Sequence, residues 1–205
     1  YRIVCNTRSD KFVSIAGEDM QIHNNREPLF YNKDQTILKY GHNGNSFKIS
    51  SLSEYYRPVD SSGLAVKFVV EGNERYTINK RSYAISSGSY LLLNGEKDAT
   101  VEIESKKNVK GICIHISDEV IADAAASLMR PDTAYTDPDL ATYLSTDLFL
   151  ENKYQARHTA LGKKLNEISG SIQHYLFSLE DINSGLFFEL AEQLIADQTA
   201  VFKEL

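Results

Sequence analysis

Cys113 and His115, two side chains that can bind metal ions, lie two residues apart in an apolar run that predicts a β-strand. Side chains at positions i and i+2 of a strand lie on the same face of the sheet. A thiolate and an imidazole are both good ligands for zinc, but two ligands from one strand do not complete a metal site. A histidine and a small thiol inside a sheet are more often packed or hydrogen-bonded than metal-bound. The pair alone therefore predicts no metal centre.

Other chemistry-bearing patterns are absent from the sequence. The five histidines, none with the spacing of H-x-H or H-E-x-x-H, are His23, His42, His115, His158 and His174. No nucleophile elbow, phosphate-binding loop or dinucleotide-binding glycine motif occurs. Glu102 and Glu104 alternate with apolar residues and are expected to face solvent, and Asp118 with Glu119 suits a helix N-terminus. The sequence predicts a protein that is not an enzyme and has no cofactor.

The composition narrows the classes of partner. The chain has 205 residues, 42% of them hydrophobic, and a net charge of −6, which disfavours direct contact with nucleic acid or an anionic membrane. No apolar run reaches the roughly 18 residues that a membrane span needs. The two cysteines, Cys5 and Cys113, suggest no disulfide framework, so a reducing compartment and a cytoplasmic location are expected. The sequence predicts one large domain or two small ones.

The stretch between Leu64 and Ser117 has the pattern of an antiparallel barrel or sandwich. Clusters of turn-forming residues fall at 71–73, 79–81, 86–89, 94–98 and 105–108. Between them apolar residues alternate with period two, as in half-buried strands. Ile112, Ile114 and Ile116 share one face, opposite Cys113 and His115. Shorter extended segments before residue 60 are expected to complete the barrel.

Helical periodicity replaces the strand pattern after residue 117. A short helix is expected from residue 117 or 118 to the region of Pro131, and the loop 130–139 is the expected domain boundary. Two heptad-like stripes follow, joined by a turn near 178–185. They cover the barrel or they form a dimer interface, and the second alternative predicts these interface residues: Leu161, Leu165, Ile168, Ile172, Phe187, Ala191, Leu194 and Val201.

Residues 64–94 resemble the centre of a cupin barrel. In that family a strand ends in a Glu-Gly turn, here Glu71-Gly72, and a later strand begins with Gly, here Gly88. Cupin enzymes bind a metal through an H-x-H motif, a Glu and a later His. The corresponding positions here fall near Pro58, Asp60, Leu64 and Ala99, which cannot supply that set of ligands. The resemblance therefore implies a cupin-like (double-stranded β-helix) barrel without the metal.

The order of segments over residues 45–205 resembles the N-terminal half of AraC-type bacterial transcription regulators. The cupin-like part is followed by Phe-Leu-Glu-Asn at 149–152, Leu-Gly-x-x-Leu at 161–165 and Phe-Phe-Glu-Leu-Ala-Glu at 187–192. The resemblance implies a mainly β effector-binding barrel with an N-terminal arm at 1–130 and an antiparallel helical hairpin for homodimerisation at 131–205. It also implies DNA binding through helix-turn-helix motifs that lie beyond this chain.

The same resemblance implies a small-molecule effector inside the barrel. A small-molecule pocket needs a few polar groups in apolar surroundings. The candidates on the central strands are Lys67, Tyr76, Tyr83, Tyr90, Cys113 and His115. The tyrosines could instead serve packing alone, and Lys67 could point outward. Two other functions stay open, a metal-dependent cupin isomerase or oxygenase and a stand-alone carbohydrate-binding β-domain.

Overall fold

A computed structural model describes residues 13–14, 36–59, 64–94, 99–128, 152–174, 176–178 and 180–204. The strands in these ranges are β1 (Val13–Ser14), β2 (Thr36–His42), β3 (Asn45–Pro58), β4 (Leu64–Glu71), β5 (Asn73–Ile78), β6 (Arg81–Ser86), β7 (Ser89–Leu93), β8 (Ala99–Ile116) and β9 (Lys153–Gln155). The helices of the described ranges are α1 (Asp118–Leu128), α2 (Ala160–Gln173) and α3 (Ser184–Glu204), and a 3-10 turn spans Ala156–His158. Within the described ranges, none of the helices could cross a lipid bilayer.

The nine strands of the described ranges belong to one antiparallel sheet, in the order β1-β2-β3-β8-β4-β7-β9, with β5 and β6 off this path. Strand β8 organises it, because its second half pairs with β4 and its first half pairs with β5, which in turn pairs with β6. Residues of β5 and β6 share a hydrophobic core with residues of β4 and β7, so the sheet folds over itself. A mainly β architecture followed by helices was predicted and is confirmed.

The predicted turn at 105–108 is wrong, because β8 continues through it. Its long partner β3 pairs with both halves: Leu52 lies opposite Val109, and Glu54 lies opposite Glu104. Residues 105–108 therefore form a bulge opposite one residue of β3, and Asn108 donates a hydrogen bond to Ser51 Oγ (3.1 Å). A bulge exposes polar side chains as a turn does, so the polar composition of residues 105–108 does not distinguish between the two.

The predicted turns at 71–73, 79–81 and 86–89 coincide with real ones. Each contains residues with positive φ: Gly72 (92°), Asn79 (47°), Lys80 (68°) and Gly88 (73°). Glycine enters this region without steric penalty, and Asn enters it more easily than most residues. The turn at Asn79 and Lys80 joins the paired strands β5 and β6 and sets their register. Most of the turn predicted at 94–98 lies outside the described residues.

The two faces of the sheet pack against different parts of the chain. The outer face packs against α1, α2 and α3, and its buried side chains include Phe47, Ile49, Leu64, Val66, Phe68, Tyr90, Leu92, Ile112, Ile114 and Ile116. The inner face surrounds a second core formed by Leu52, Ala65, Val69, Tyr76, Ile78, Ile85, Leu91, Leu93, Ala99, Val101, Ile103 and Val109. Burial on both faces explains why apolar residues fill most positions of β4 and β7.

The helical stripes cover the outer face. Seven side chains proposed for a dimer interface are at most 4% exposed within the single chain: Leu161, Leu165, Ile168, Ile172, Phe187, Ala191 and Leu194. Because these side chains are already buried, they are not available to a second copy, and the predicted interface is corrected to an internal one. The side chain of Val201 lies outside the described residues.

The helical part is packed together with the barrel. Strand β9 lies beside β7 at the edge of the sheet, and α2 and α3 share one core with the outer face. The division of the chain into 1–130 and 131–205 stays a prediction, because residues 129–151 lie outside the described ranges.

Helix α2 begins at a charged cap from another helix. The carboxylate of Asp197 on α3 accepts hydrogen bonds from the backbone N–H groups of Ala160 (2.7 Å) and Leu161 (2.9 Å). Thr159, the N-cap residue, accepts from Gly162 N (3.0 Å) through its hydroxyl. A negative charge at a helix N-terminus also interacts favourably with the helix dipole.

Asp197→Ala is expected to lower the free energy of unfolding by about 2 kcal/mol, because two N–H groups lose their charged acceptor. Urea denaturation followed by circular dichroism measures the effect. Asp123→Ala, which removes an exposed carboxylate from α1, is the matched control. Equal denaturation midpoints for the two variants would contradict the capping role of Asp197.

Candidate functional site

Strand alternation brings Lys67, Cys113 and His115 together on the inner face. Lys67 lies between the inner-face residues Ala65 and Val69 of β4 and directly opposite Cys113 of β8. His115 follows two residues after Cys113 and therefore points to the same side. Adjacent positions on paired strands are close enough for direct side-chain contact.

The amine of Lys67 is the centre of this group. Its Nζ lies 2.7 Å from Cys113 Sγ and 3.3 Å from His115 Nε2. Lys67 is 5% exposed and His115 is 8% exposed. Lysine is rarely buried to this extent in proteins, and a buried ammonium normally has an anionic or hydrogen-bonding partner. The fold therefore holds an amine inside an apolar sheet, in contact with Cys113 and His115.

A buried carboxyl group, Glu74, lies on the same inner face. Tyr76 donates a hydrogen bond to Glu74 Oε2 (2.5 Å). Burial raises the pKa of Glu74 from 4.5 to about 7; Cys113 adds to this increase, whereas Tyr76 and Lys67 oppose it. Burial also raises the pKa of the Tyr76 hydroxyl, and the neighbouring Glu74 raises it further. Glu74 is thus an acid that can exchange a proton near neutral pH.

Gly111 makes room for this carboxyl group. A Cβ at position 111 would lie 2.7 Å from Glu74 Oε1 and 3.2 Å from Ser50 Oγ. Any larger residue there would compete with Glu74 for space on the inner face. The glycine in the run before Cys113 is therefore explained by the close approach of Glu74 to β8.

Three further side chains belong to the inner face. Tyr83 lies opposite Tyr76 on β6, and Tyr55 packs against the same core from β3. Burial raises the pKa of Tyr55, Arg57 opposes this effect, and Cys113 adds to it. The hydroxyl of Ser89 is fully buried and, among the described residues, has no hydrogen-bond partner. These groups give the inner face several polar contacts in an apolar setting.

Tyr90 is not part of this group, although it was a candidate. It lies opposite Phe68, on the outer face, where its ring stacks on Tyr154 with centroids 5.2 Å apart. Its hydroxyl bonds with Thr159 Oγ1 (3.2 Å) at the start of α2. Burial raises its pKa, opposed by the hydrogen bond with Thr159. The inward residue of β7 is the next one, Leu91.

Three polar residues of the inner face were not among the predicted site residues: Glu74, Tyr55 and Ser89. Glu74 precedes Tyr76 by two positions, so alternation alone could have found it on the same face. Tyr55 could not be found in this way, because the irregularity between Leu52 and Glu54 shifts the alternation of β3 by one residue. Before it the even-numbered residues face inward, and after it the odd-numbered residues do.

The inner face holds a mixed donor set. Within the described residues, no three His, Cys, Asp or Glu side chains are placed to bind one metal ion. The polar groups instead comprise an amine, a thiol, an imidazole, a carboxyl group and phenols. Such a set can hydrogen-bond and pair charges with a small polar molecule.

A sheet that folds over its own core, with helices on its outer face, defines a cupin-like barrel. Among solved structures, the AraC-like transcriptional activator CuxR is similar, with a TM-score of 0.54 and 7% identity over 81% of this chain and 56% of that one. A Cupin 2 conserved barrel domain protein from Leptotrichia buccalis is similar with a TM-score of 0.36 and 19% identity, over 42% of this chain and 43% of that one. No protein-family model and no curated protein sequence matches this chain.

The likeness to CuxR at 7% identity shows the fold. The chain has a cupin-like barrel followed by helices, and the predicted fold class is confirmed. The chain spans little more than half, 56%, of that structure's length.

Proposed function

We propose that this chain is the small-molecule sensing domain of an AraC-type transcription regulator and that it is not catalytic. The observation that carries the proposal is the buried amine of Lys67, held beside Cys113 and His115 inside a cupin-like barrel. Stability alone does not explain such a group, because apolar residues of similar volume often replace buried charges without loss of folding stability. Binding a ligand is a physical reason to keep it.

The proposed effector is a small molecule that presents a hydrogen-bond acceptor to Lys67. A carboxylate or a sugar hydroxyl can accept from Nζ, while Tyr76 and Tyr83 offer ring surface and Ser89 offers a buried hydroxyl. Sugars, aromatic acids and small polar metabolites meet this description. Pocket side chains of this kind fix the orientation of a ligand, and the apolar core excludes water.

Strand β7 supports a route from the inner face to the helices. Leu91 lies opposite Lys67 on the inner face, while its neighbour Tyr90 contacts Tyr154 and Thr159 on the outer face. An effector that changes the packing at Leu91 would bias the position of α2. It can shift a regulator between two states only by the difference between its affinities for them. In this proposal the responding DNA-binding part lies beyond the present chain.

Lys67→Met is expected to weaken effector binding without lowering the melting temperature of the ligand-free protein. Met fills a similar volume and removes the desolvated amine. A thermal-shift series with glucose, arabinose, benzoate, salicylate and pyruvate identifies a ligand that raises the melting temperature of the wild type. Isothermal titration then compares the variants, and a loss of affinity of at least about tenfold is expected for Lys67→Met.

Lys110→Met is the matched control, because Lys110 is on β8 but its amine pairs with Glu71 (3.0 Å). Equal ligand affinity in wild type and Lys67→Met would contradict the proposed site. Conversion of the bound ligand to a product, or a stoichiometric tightly held metal by elemental analysis, would favour a cupin enzyme instead.

A homodimer and a cytoplasmic location remain part of the proposal. Because the helical stripes are buried within the chain, a dimer would use other surfaces. Size-exclusion chromatography with light scattering measures the oligomeric state. A strict monomer at high concentration would remove dimerisation from the proposal and leave effector binding to be judged by titration.

A further inference from the structure

The contact between Lys67 and Cys113 is too short for an ordinary hydrogen bond to sulfur. Nζ and Sγ are 2.7 Å apart, a distance typical of a good N–H···O bond. Sulfur has a larger radius than oxygen, so a relaxed N–H···S contact is longer. The two atoms are therefore held closer than hydrogen bonding alone explains.

We propose that Lys67 and Cys113 form a redox modification site, in which peroxide joins Nζ and Sγ through a single oxygen atom. An oxygen atom bonded to both would hold them at about the separation observed, with only small adjustments of the two side chains. The residues lie directly opposite each other on β4 and β8, so no strand has to move. The inference does not depend on which effector the barrel binds.

The reaction balances with two molecules of peroxide. One oxidises the thiol to a sulfenic acid, and the other oxidises the amine to a hydroxylamine. The hydroxylamine oxygen then bonds to sulfur and the sulfenic hydroxyl leaves as water. In total, one Lys ammonium, one Cys thiol and two H₂O₂ give one N–O–S bridge, three H₂O and one proton. Sulfur and nitrogen each lose two electrons, and the two peroxides accept all four.

The surroundings favour this reaction at Cys113. Reactive cysteines lie in partly exposed, electropositive environments, and Cys113 is half-buried beside the Lys67 amine. His115 Nε2 lies 3.3 Å from Nζ, close enough to receive a proton that the ammonium gives up. The amine itself is 5% exposed and held against the sulfur, which favours the intramolecular bond over release of the hydroxylamine.

Formation of the bridge would change the inner face. It removes the ammonium and the thiol together, so an effector that depends on Lys67 would no longer bind. Thiol reductants would restore both groups: four thiols reduce one bridge to amine, thiol and water and become two disulfides. The pair would thus make the barrel responsive to oxidants.

Mass spectrometry of the full chain carrying Cys5→Ser tests the proposal, because Cys113 is then the sole cysteine. After hydrogen peroxide, the bridge adds one oxygen and removes two hydrogens, about 14 Da. Oxidised methionine gains a whole oxygen, about 16 Da, and is distinguished by that difference. Trypsin is expected to stop cutting after Lys67 and to yield one peptide that joins the Lys67 and Cys113 segments. Dithiothreitol should reverse both changes.

Two variants in the same background decide the outcome. Lys67→Gln should lose the gain of about 14 Da, whereas Lys110→Gln should keep it, since that amine pairs with Glu71 instead. Lys67→Arg, which preserves length and charge, replaces Lys67→Gln if circular dichroism shows that the latter is unfolded. The proposal is overturned if Cys113 is oxidised while trypsin still cuts after Lys67, or if the thiol and Lys67 both remain unmodified.

Discussion

Gly162→Ala is expected to lower the free energy of unfolding by about 3 kcal/mol. Gly162 lies in the first turn of α2, where the helix passes directly over the 3-10 turn at Ala156–His158. A Cβ at this position would overlap the Cα and carbonyl oxygen of Ala156, and also the hydroxyl of Thr159. Because backbone atoms cannot rotate away, the helix itself would have to shift and disturb the Asp197 cap.

Gly170→Ala is the control in the same helix, and it is expected to act in the opposite direction. A Cβ at position 170 would meet no atom within 4 Å, so the substitution only improves helix propensity. The expected gain is about 0.5 to 1 kcal/mol. Urea denaturation compares the three proteins at one pH. Similar losses of stability for both variants would show that helix α2 tolerates no change at all, and would refute the steric explanation for Gly162.

The strands could be predicted because their signal is local. Alternation of apolar and polar residues depends only on which side of the sheet each residue faces, and β8 shows it clearly around Ile112 and Ile114. The bulge at 105–108 could not be predicted, because it is defined by the partner strand β3. The polar composition of that segment is compatible with a turn or a bulge, and only the pairing of Glu54 with Glu104 separates them.

The helical stripes illustrate a different limit. The period of Leu161, Leu165 and Ile168 predicts correctly that these residues are buried, but a period does not identify the surface that covers them. The outer face of the sheet is apolar along β4 and β8 and has to be covered too. The apolar stripes of the helices and the apolar outer face of the sheet therefore bury each other within one chain.

The candidate site was partly predictable, because strand alternation decides which face of the sheet each side chain occupies. Lys67, Cys113 and His115 share the inner face, as expected of central-strand residues that alternate with outward-facing neighbours. Tyr90 was chosen by residue type, and its parity places it with the helices instead. Glu74 was not among the candidates, although it precedes Tyr76 by two positions on β5 and therefore shares its face.

Glu74 is expected to make the folded protein less stable as the pH rises from 5 to 8. Its pKa is raised in the folded state from 4.5 to about 7, chiefly by burial, so between these values the folded state binds more protons than the unfolded state. Stability is therefore complete below about pH 4.5, falls with rising pH, and its proton-linked part is lost once the pH exceeds the folded pKa. The loss at pH 8 is about 3 kcal/mol.

Glu74→Gln should remove this pH dependence, because Gln keeps a hydrogen-bond acceptor for Tyr76 and has no charge to desolvate. The variant should exceed the stability of the wild type by less than about 1 kcal/mol at pH 5 and by about 3 kcal/mol at pH 8. Urea denaturation at intervals between pH 5 and pH 8 measures both curves. Glu104→Gln, which removes an exposed carboxylate from β8, tests whether loss of negative charge alone has the same effect. Parallel curves for wild type and Glu74→Gln would mean that Glu74 is not the buried acid described here, and that the inner face meets water.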